Sequence, residues 1–180
     1  TPNSFLAPNT TTASVQRAID AVADPGTVNI MGGTYTPDGM NAAAKGITFA
    51  PGESPTCVTV GDLTLNAGDV LDMEIGGTTA CTQYDQFIVN GAVTLGGATL
   101  NIDLGVYIPG VGGQFTLIDN DGADPVSGTF AQGNSITTGG YEFTINYAGG
   151  DGNDVVLAVC ANVQNTNTGD WFCTIQDAID

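Results

Sequence analysis

The sequence predicts a mainly β protein: a β-solenoid or β-helix-like stack, or stacked β-sandwich strands, with one short N-terminal helix. The first observation behind this is a doubled segment. Residues 61–76 read GDLTLNAGDVLDMEIG and residues 91–105 read GAVTLGGATLNIDLG. Leu63, Thr64 and Leu65 fall on Val93, Thr94 and Leu95. After a one-residue gap, Leu71, Met73, Ile75 and Gly76 fall on Leu100, Ile102, Leu104 and Gly105. Each copy holds two short alternating strands joined at a glycine, Gly68 or Gly97. Period-two alternation buries one strand face and solvates the other. Self-similarity over some tens of residues marks stacked units, each too small to bury its apolar face alone. The second observation is composition: 26 of 180 residues are Gly, about double the usual share of roughly 7%. The third is a succession of short apolar runs between turn signals.

Charge excludes several functions. The chain carries 19 acidic and 2 basic residues (Arg17, Lys45), no His, and a net charge of −17. Such a surface repels phosphate backbones and anionic lipids, which argues against nucleic-acid and membrane-surface partners. It keeps a strand-rich protein soluble and attracts cations. Without His the commonest general base and metal ligand is missing. One Lys and one Arg leave almost nothing for phosphate clamps or lysine-based covalent catalysis. No apolar run reaches the roughly 18 residues of a membrane span.

Four Cys without a CxxC pattern point to disulfides, since a zinc site lacking His would need all four. Three pairings are open. Cys57–Cys81 and Cys160–Cys173 are favoured, because each encloses a short strand-and-turn segment; free buried thiols are the alternative. Loops of that size would contribute roughly 3 kcal/mol each in the chain-entropy model. Disulfides imply an oxidising, extracellular or cell-surface location.

Taken in order, residues 1–13 (TPNSFLAPNTTTA) read as a linker. Residues 14–56 hold a short helix and the first strands. Ser14 is the expected N-cap, with Val15, Ala18, Ile19 and Val22 on one apolar face and Pro25-Gly26 as the stop. Strands follow at 27–31 (TVNIM) and 45–51, with 57–160 as the ladder core. Within that core, strands are expected at 57–60 (CVTV), 84–89 and 114–118 (QFTLI), and briefly at Thr129-Phe130. SITTGG reads as a turn. Residues 141–147 and 154–159 form a hairpin across AGGDGN. Residues 161–180 read as a linker leading into a further helix.

Two resemblances add to this reading. SVQRAIDAVADPGTVNIMGGTY resembles the opening of pectin-lyase-like parallel β-helix proteins, in which a short "IQ-AID-A" helix caps the coil and a strand ending in "GTY" begins the first rung. The match spans about 22 residues and implies fold, not activity. The lyases' acidic and basic residues lie on later rungs, and no matching cluster occurs here. Residues 58–158, with YDQF, the GATLN-type ladder, FTLIDNDG and Y-GGDGNDVVL, resemble the β-strand repeats of autotransporter-like and other giant bacterial surface proteins. That resemblance implies a passive extracellular stalk or adhesin module. Residues 175–180 (IQDAID) also echo 15–20 (VQRAID), with Thr174 in the place of Ser14. A tandem repeat of about 160 residues, or a longer repeat with two helix elements, would produce the echo, and so would coincidence. In either repeat neighbouring modules stack with the helix at the junction.

Candidate sites are few. Residues 149–157 (GGDGNDVVL) fit the calcium-binding nonapeptide G-G-x-G-x-D-x-U-x, with Asp151 and Asp154 as its carboxylates. That motif works between stacked copies and the chain contains one, so a plain hairpin turn competes with it. Asp119, Asp121 and Asp124 in DNDGAD form a second candidate, because closely spaced carboxylates repel unless solvated or bridged. Calcium is thus the single candidate cofactor. Asp72, Glu74 and Asp103 alternate with apolar residues and belong to a solvated strand face rather than to a glycosidase pair. Val15, Ile19, Trp171, Phe172 and Ile175 are expected at a junction between modules. No catalytic residues are assigned. The expectation is a structural repeat of an extracellular fibre or adhesin that partners itself. The alternative is a calcium-dependent cell-surface or glycan-binding module.

Overall fold

A computed structural model describes residues 4–7, 14–36, 38–43, 45–52, 55–121, 124–160, 163–169 and 171–173. The chain begins with β1 (Ser4–Ala7) and the helix α1 (Val15–Ala21). Four passes follow. The first contains β2 (Gly26–Met31), β3 (Gly33–Thr34) and β4 (Met40–Asn41). The second contains β5 (Ile47–Gly52), β6 (Cys57–Val60) and β7 (Leu63–Thr64). The third contains β8 (Val70–Glu74), β9 (Gln86–Val89) and β10 (Val93–Thr94). The fourth contains β11 (Thr99–Asp103) and β12 (Gln114–Asn120), and then residues 127–131, which hydrogen-bond to the β10 region. The chain closes with β13 (Ser135–Thr138), β14 (Tyr141–Gly149), β15 (Asp154–Cys160), β16 (Val163–Gln164) and β17 (Trp171–Phe172).

Each pass contributes strands to several sheets. One sheet runs β1-β2-β5-β8-β11, entirely parallel. A second runs β4-β7-β10, also parallel. In the third, β3-β6-β9-β12 are parallel, and β15 and β14 extend it antiparallel, followed by β17 and β16. Among the described residues the protein is therefore mainly β with several sheets and one short helix.

The doubled segment is the register itself. Leu63 pairs with Val93 and Thr64 with Thr94, while Leu71 pairs with Leu100 and Met73 with Ile102. Equivalent positions stack into apolar columns, such as Val28–Phe49–Leu71–Leu100 and Val58–Phe87–Ile118. These side chains have essentially no exposure. Burying each large one stabilises the fold by about 1.5–3 kcal/mol. The glycines Gly68 (φ 99°) and Gly97 (φ 79°) sit where the chain leaves one sheet for the next, a left-handed conformation that other residues resist. They turn corners between sheets rather than closing hairpins.

Helix α1 follows its expected chemistry. Ser14 Oγ accepts from Arg17 N at 3.2 Å, and Val15, Ala18, Ile19 and Val22 are buried. The helix ends at a Val22 cap, earlier than Pro25. Both disulfides form as favoured, Cys57–Cys81 and Cys160–Cys173. Asp72, Glu74 and Asp103 alternate with the buried Leu71, Met73 and Ile102, as the strand period requires.

Four expectations are corrected. Thr129-Phe130 form no strand, although Thr129 O accepts from Gly97 N. Residues 1–13 are not all linker, because Ser4–Ala7 pairs with β2. SITT is strand β13, paired with β14 across Gly139-Gly140, both at positive φ. Its Ser/Thr-rich pattern, with no buried residue, hides a strand from a hydrophobicity reading. The span 161–180 likewise contains β16 and β17. The helix expected from residues 175–180, and Ile175 with it, lies outside the described residues.

Candidate functional site

The two acidic stretches singled out as separate calcium candidates meet at one corner. Strand β12 ends at Asn120, next to the turn joining β14 to β15. The backbone N–H of Asn120 donates to Asp154 Oδ1 at 3.0 Å. The Nδ2 groups of Asn120 and Asn153 both donate to the backbone carbonyl of Asp124, at 2.7 and 3.1 Å. Asp154 is buried, and burial raises its carboxyl pKa. The Asn120 N–H opposes that shift, and the charges of Asp119 and Asp151 add to it.

The corner differs from the expected set in its donors. Asp124 contributes its carbonyl, and Asp121 is exposed, its N–H bonded to Val89 O at 3.0 Å. Among the described residues no group of three or more His, Cys, Asp or Glu side chains is placed to hold a metal ion. The residues that sequence reasoning missed are Asn120 and Asn153. Asn120 occupies an inward position directly after Val60 and Val89 in one column. An amide in an apolar column is a signal, but it becomes visible only once the register is known.

The expected junction residues separate. Val15 and Ile19 are buried in this chain's own core and offer nothing to a neighbour. The backbone of Trp171 pairs with Tyr141. The exposed apolar surface lies elsewhere, on the loop between β11 and β12. Val106, Ile108 and Val111 project into solvent beside a groove of about 590 Å³ that Tyr107, Leu104 and Pro55 help to line.

Side chains close the ends of two sheets. Gln16 Oε1 accepts from Asn41 N at 2.8 Å and its Nε2 donates to Asn41 O at 3.0 Å, covering the outer edge of β4. Gln132 treats Leu100 on β11 in the same manner, and Thr138 Oγ1 donates to Ile102 O. Each amide imitates a neighbouring peptide group, so the backbone of Asn41 and of Leu100 offers no open template for another strand.

Several carboxylates are internal struts. Asp69 accepts from Ile47 N and Asn66 N. Asp85 accepts from Thr56 N and Glu74 N, both at 2.8 Å. Burial pushes Asp85 up to about 6 against those two bonds, with smaller help from the Glu74 and Asp72 charges. Lys45, one of two basic residues, donates to the carbonyls of Ile19, Asp20 and Val22 at the end of α1.

Comparison of the chain with family models, curated proteins and solved structures finds no match. Among the described residues no helix is long and apolar enough to cross a membrane.

Proposed function

We propose that the chain is a structural module of an extracellular fibre or surface adhesin, a β-solenoid-type stack that joins copies of itself end to end. The observation that carries this reading is the in-register parallel pairing of successive passes, Val28 over Phe49 over Leu71 over Leu100. A body made by repeating one pass along an axis is a rod, and its informative surfaces are its ends and protruding loops. Glutamine amides cap β4 at Asn41 and β11 at Leu100, so at those two edges neighbours would join through side chains rather than added strands. The exposed Val106, Ile108 and Val111 supply an apolar patch for such a contact. Two disulfides suit an oxidising exterior. The buried Asp69 and Asp85 act as backbone acceptors, out of reach of a substrate.

Light scattering over a concentration series, with electron microscopy, tests this reading. End-to-end association is expected, and Val106→Ser with Ile108→Ser should abolish it. A chain that stays monomeric at millimolar concentration, alone and in a two-copy fusion, would overturn it. The second reading, calcium-dependent attachment to a cell surface or glycan, is favoured only by the acidic corner.

A further inference from the structure

Asn120 is 2% exposed and Asn153 7%. Their amide orientation is set by chemistry, because both Nδ2 groups point at the Asp124 carbonyl. Flipping either amide would place lone pair against lone pair. Each Oδ1 is therefore turned away from that carbonyl, and each is buried without a hydrogen-bond partner. An unsatisfied buried acceptor costs about 1–3 kcal/mol, and two in one corner call for a common cause. The Asp154 carboxyl lies against the same corner, with Oδ1 on Asn120 N. A Cβ on Gly150 would stand 1.7 Å from Asp154 Oδ2, so only glycine leaves that oxygen its place.

We propose that this corner is a divalent-cation site, taking calcium through Asn120 Oδ1, Asn153 Oδ1 and the Asp154 carboxylate. The donors are all oxygens, one charged and two neutral, which suits a hard cation. Calcium fits better than magnesium, because an irregular set drawn from a strand end and a hairpin turn does not supply near-ideal octahedral geometry. Water completes the shell. Asp119 and Asp151 add negative potential around Asp154. The bound ion would tie the end of β12 to the β14–β15 hairpin. The site stands or falls independently of end-to-end association.

The competing explanation is a buried water on the two amide oxygens. The test is thermal unfolding and titration calorimetry of chelator-treated protein against calcium chloride, with magnesium chloride and ionic-strength-matched sodium chloride as controls. Calcium at 10 mM is expected to raise Tm by about 5 °C or more, with little effect of magnesium or sodium. Asp154→Asn keeps an acceptor for Asn120 N and should remove the shift. Asn153→Ala, on the turn, should weaken it at least tenfold in Kd even if Asp154→Asn folds poorly. Glu74→Gln, changing an exposed carboxylate far along the chain, should leave it intact. No calorimetric heat and no shift at 10 mM calcium would overturn the proposal and leave water in the corner. A shift equally large with sodium or magnesium, or retained in Asn153→Ala, would also overturn it.

Discussion

Gln132 and Leu100 exchange two hydrogen bonds, the side-chain amide accepting from Leu100 N and donating to Leu100 O. One side chain thus caps the outer edge of the five-stranded sheet at Leu100 and supplies both partners a sixth strand would have brought to that residue. Gln132→Leu should destabilise the fold by about 1–2 kcal/mol, since it orphans a donor and an acceptor. It should also expose a strand edge and promote aggregation. Calorimetry and light scattering read the two effects. Unchanged Tm and unchanged scattering would show that water replaces the amide at no cost.

Lys45 binds three carbonyls at the end of α1. A cation there satisfies acceptors that a short helix leaves free and opposes the negative end of its dipole. Lys45→Met should cost about 1–2 kcal/mol, visible as a lower midpoint in urea. Arg17→Met serves as a comparison, because the exposed Arg17 lies in the first turn and should change stability far less.

Acid should stabilise this protein. Asp85 titrates at about 6 when folded, against an ordinary value of 3.8. Between those pH values the folded chain keeps a proton that the unfolded chain has released. The stabilisation is complete below about 3.8 and is lost as pH rises through about 6. The gap corresponds to at most about 3 kcal/mol. Asp69, raised first by burial, acts in the same direction, with Asp24 adding to its shift. Self-repulsion of a net charge of −17 points the same way. Tm should therefore fall between pH 4 and 6.5, and Asp85→Asn should flatten that fall. A Tm that climbs over the same range would contradict the assignment.

The Cys57–Cys81 bridge spans 24 residues and the Cys160–Cys173 bridge 13. Replacing either pair by Ser should cost about 2–4 kcal/mol, with the longer loop costing more. The first bridge ties β6 to the segment leading into Asp85, so its loss should also raise hydrogen exchange at Glu74 N. Uniform exchange changes across the chain would argue that the bridge acts only on the unfolded state.

Much of the architecture was legible in the sequence, because strand alternation and stacking both repeat at short range. Leu71 and Leu100 look alike for the same reason that they pair: successive passes put them in one column with the same neighbours. Ser14, Cys57–Cys81, Cys160–Cys173 and the hairpin of β14 and β15 are local or nearly local devices, and each was read correctly. Polar chemistry was harder to read. A carboxylate looks the same in sequence whether it is solvated, like Glu74, or a buried strut, like Asp85. The difference lies in a backbone N–H 29 residues away. Gln16 and Gln132 gave no signal of edge capping, since their partners lie 25 and 32 residues distant.

The sequence by itself determined which faces of the main strands are apolar and that the two copies of the doubled segment share a register, because those follow from alternation and glycine placement. Only the tertiary structure decided which polar groups meet. It buried Val15 and Ile19 inside the chain, exposed Val106 and Ile108, and joined Asn120 to Asp154 across 34 residues. Wrapping the chain into stacked passes brings distant residues within hydrogen-bond reach, and no local pattern records which pairs that wrapping selects.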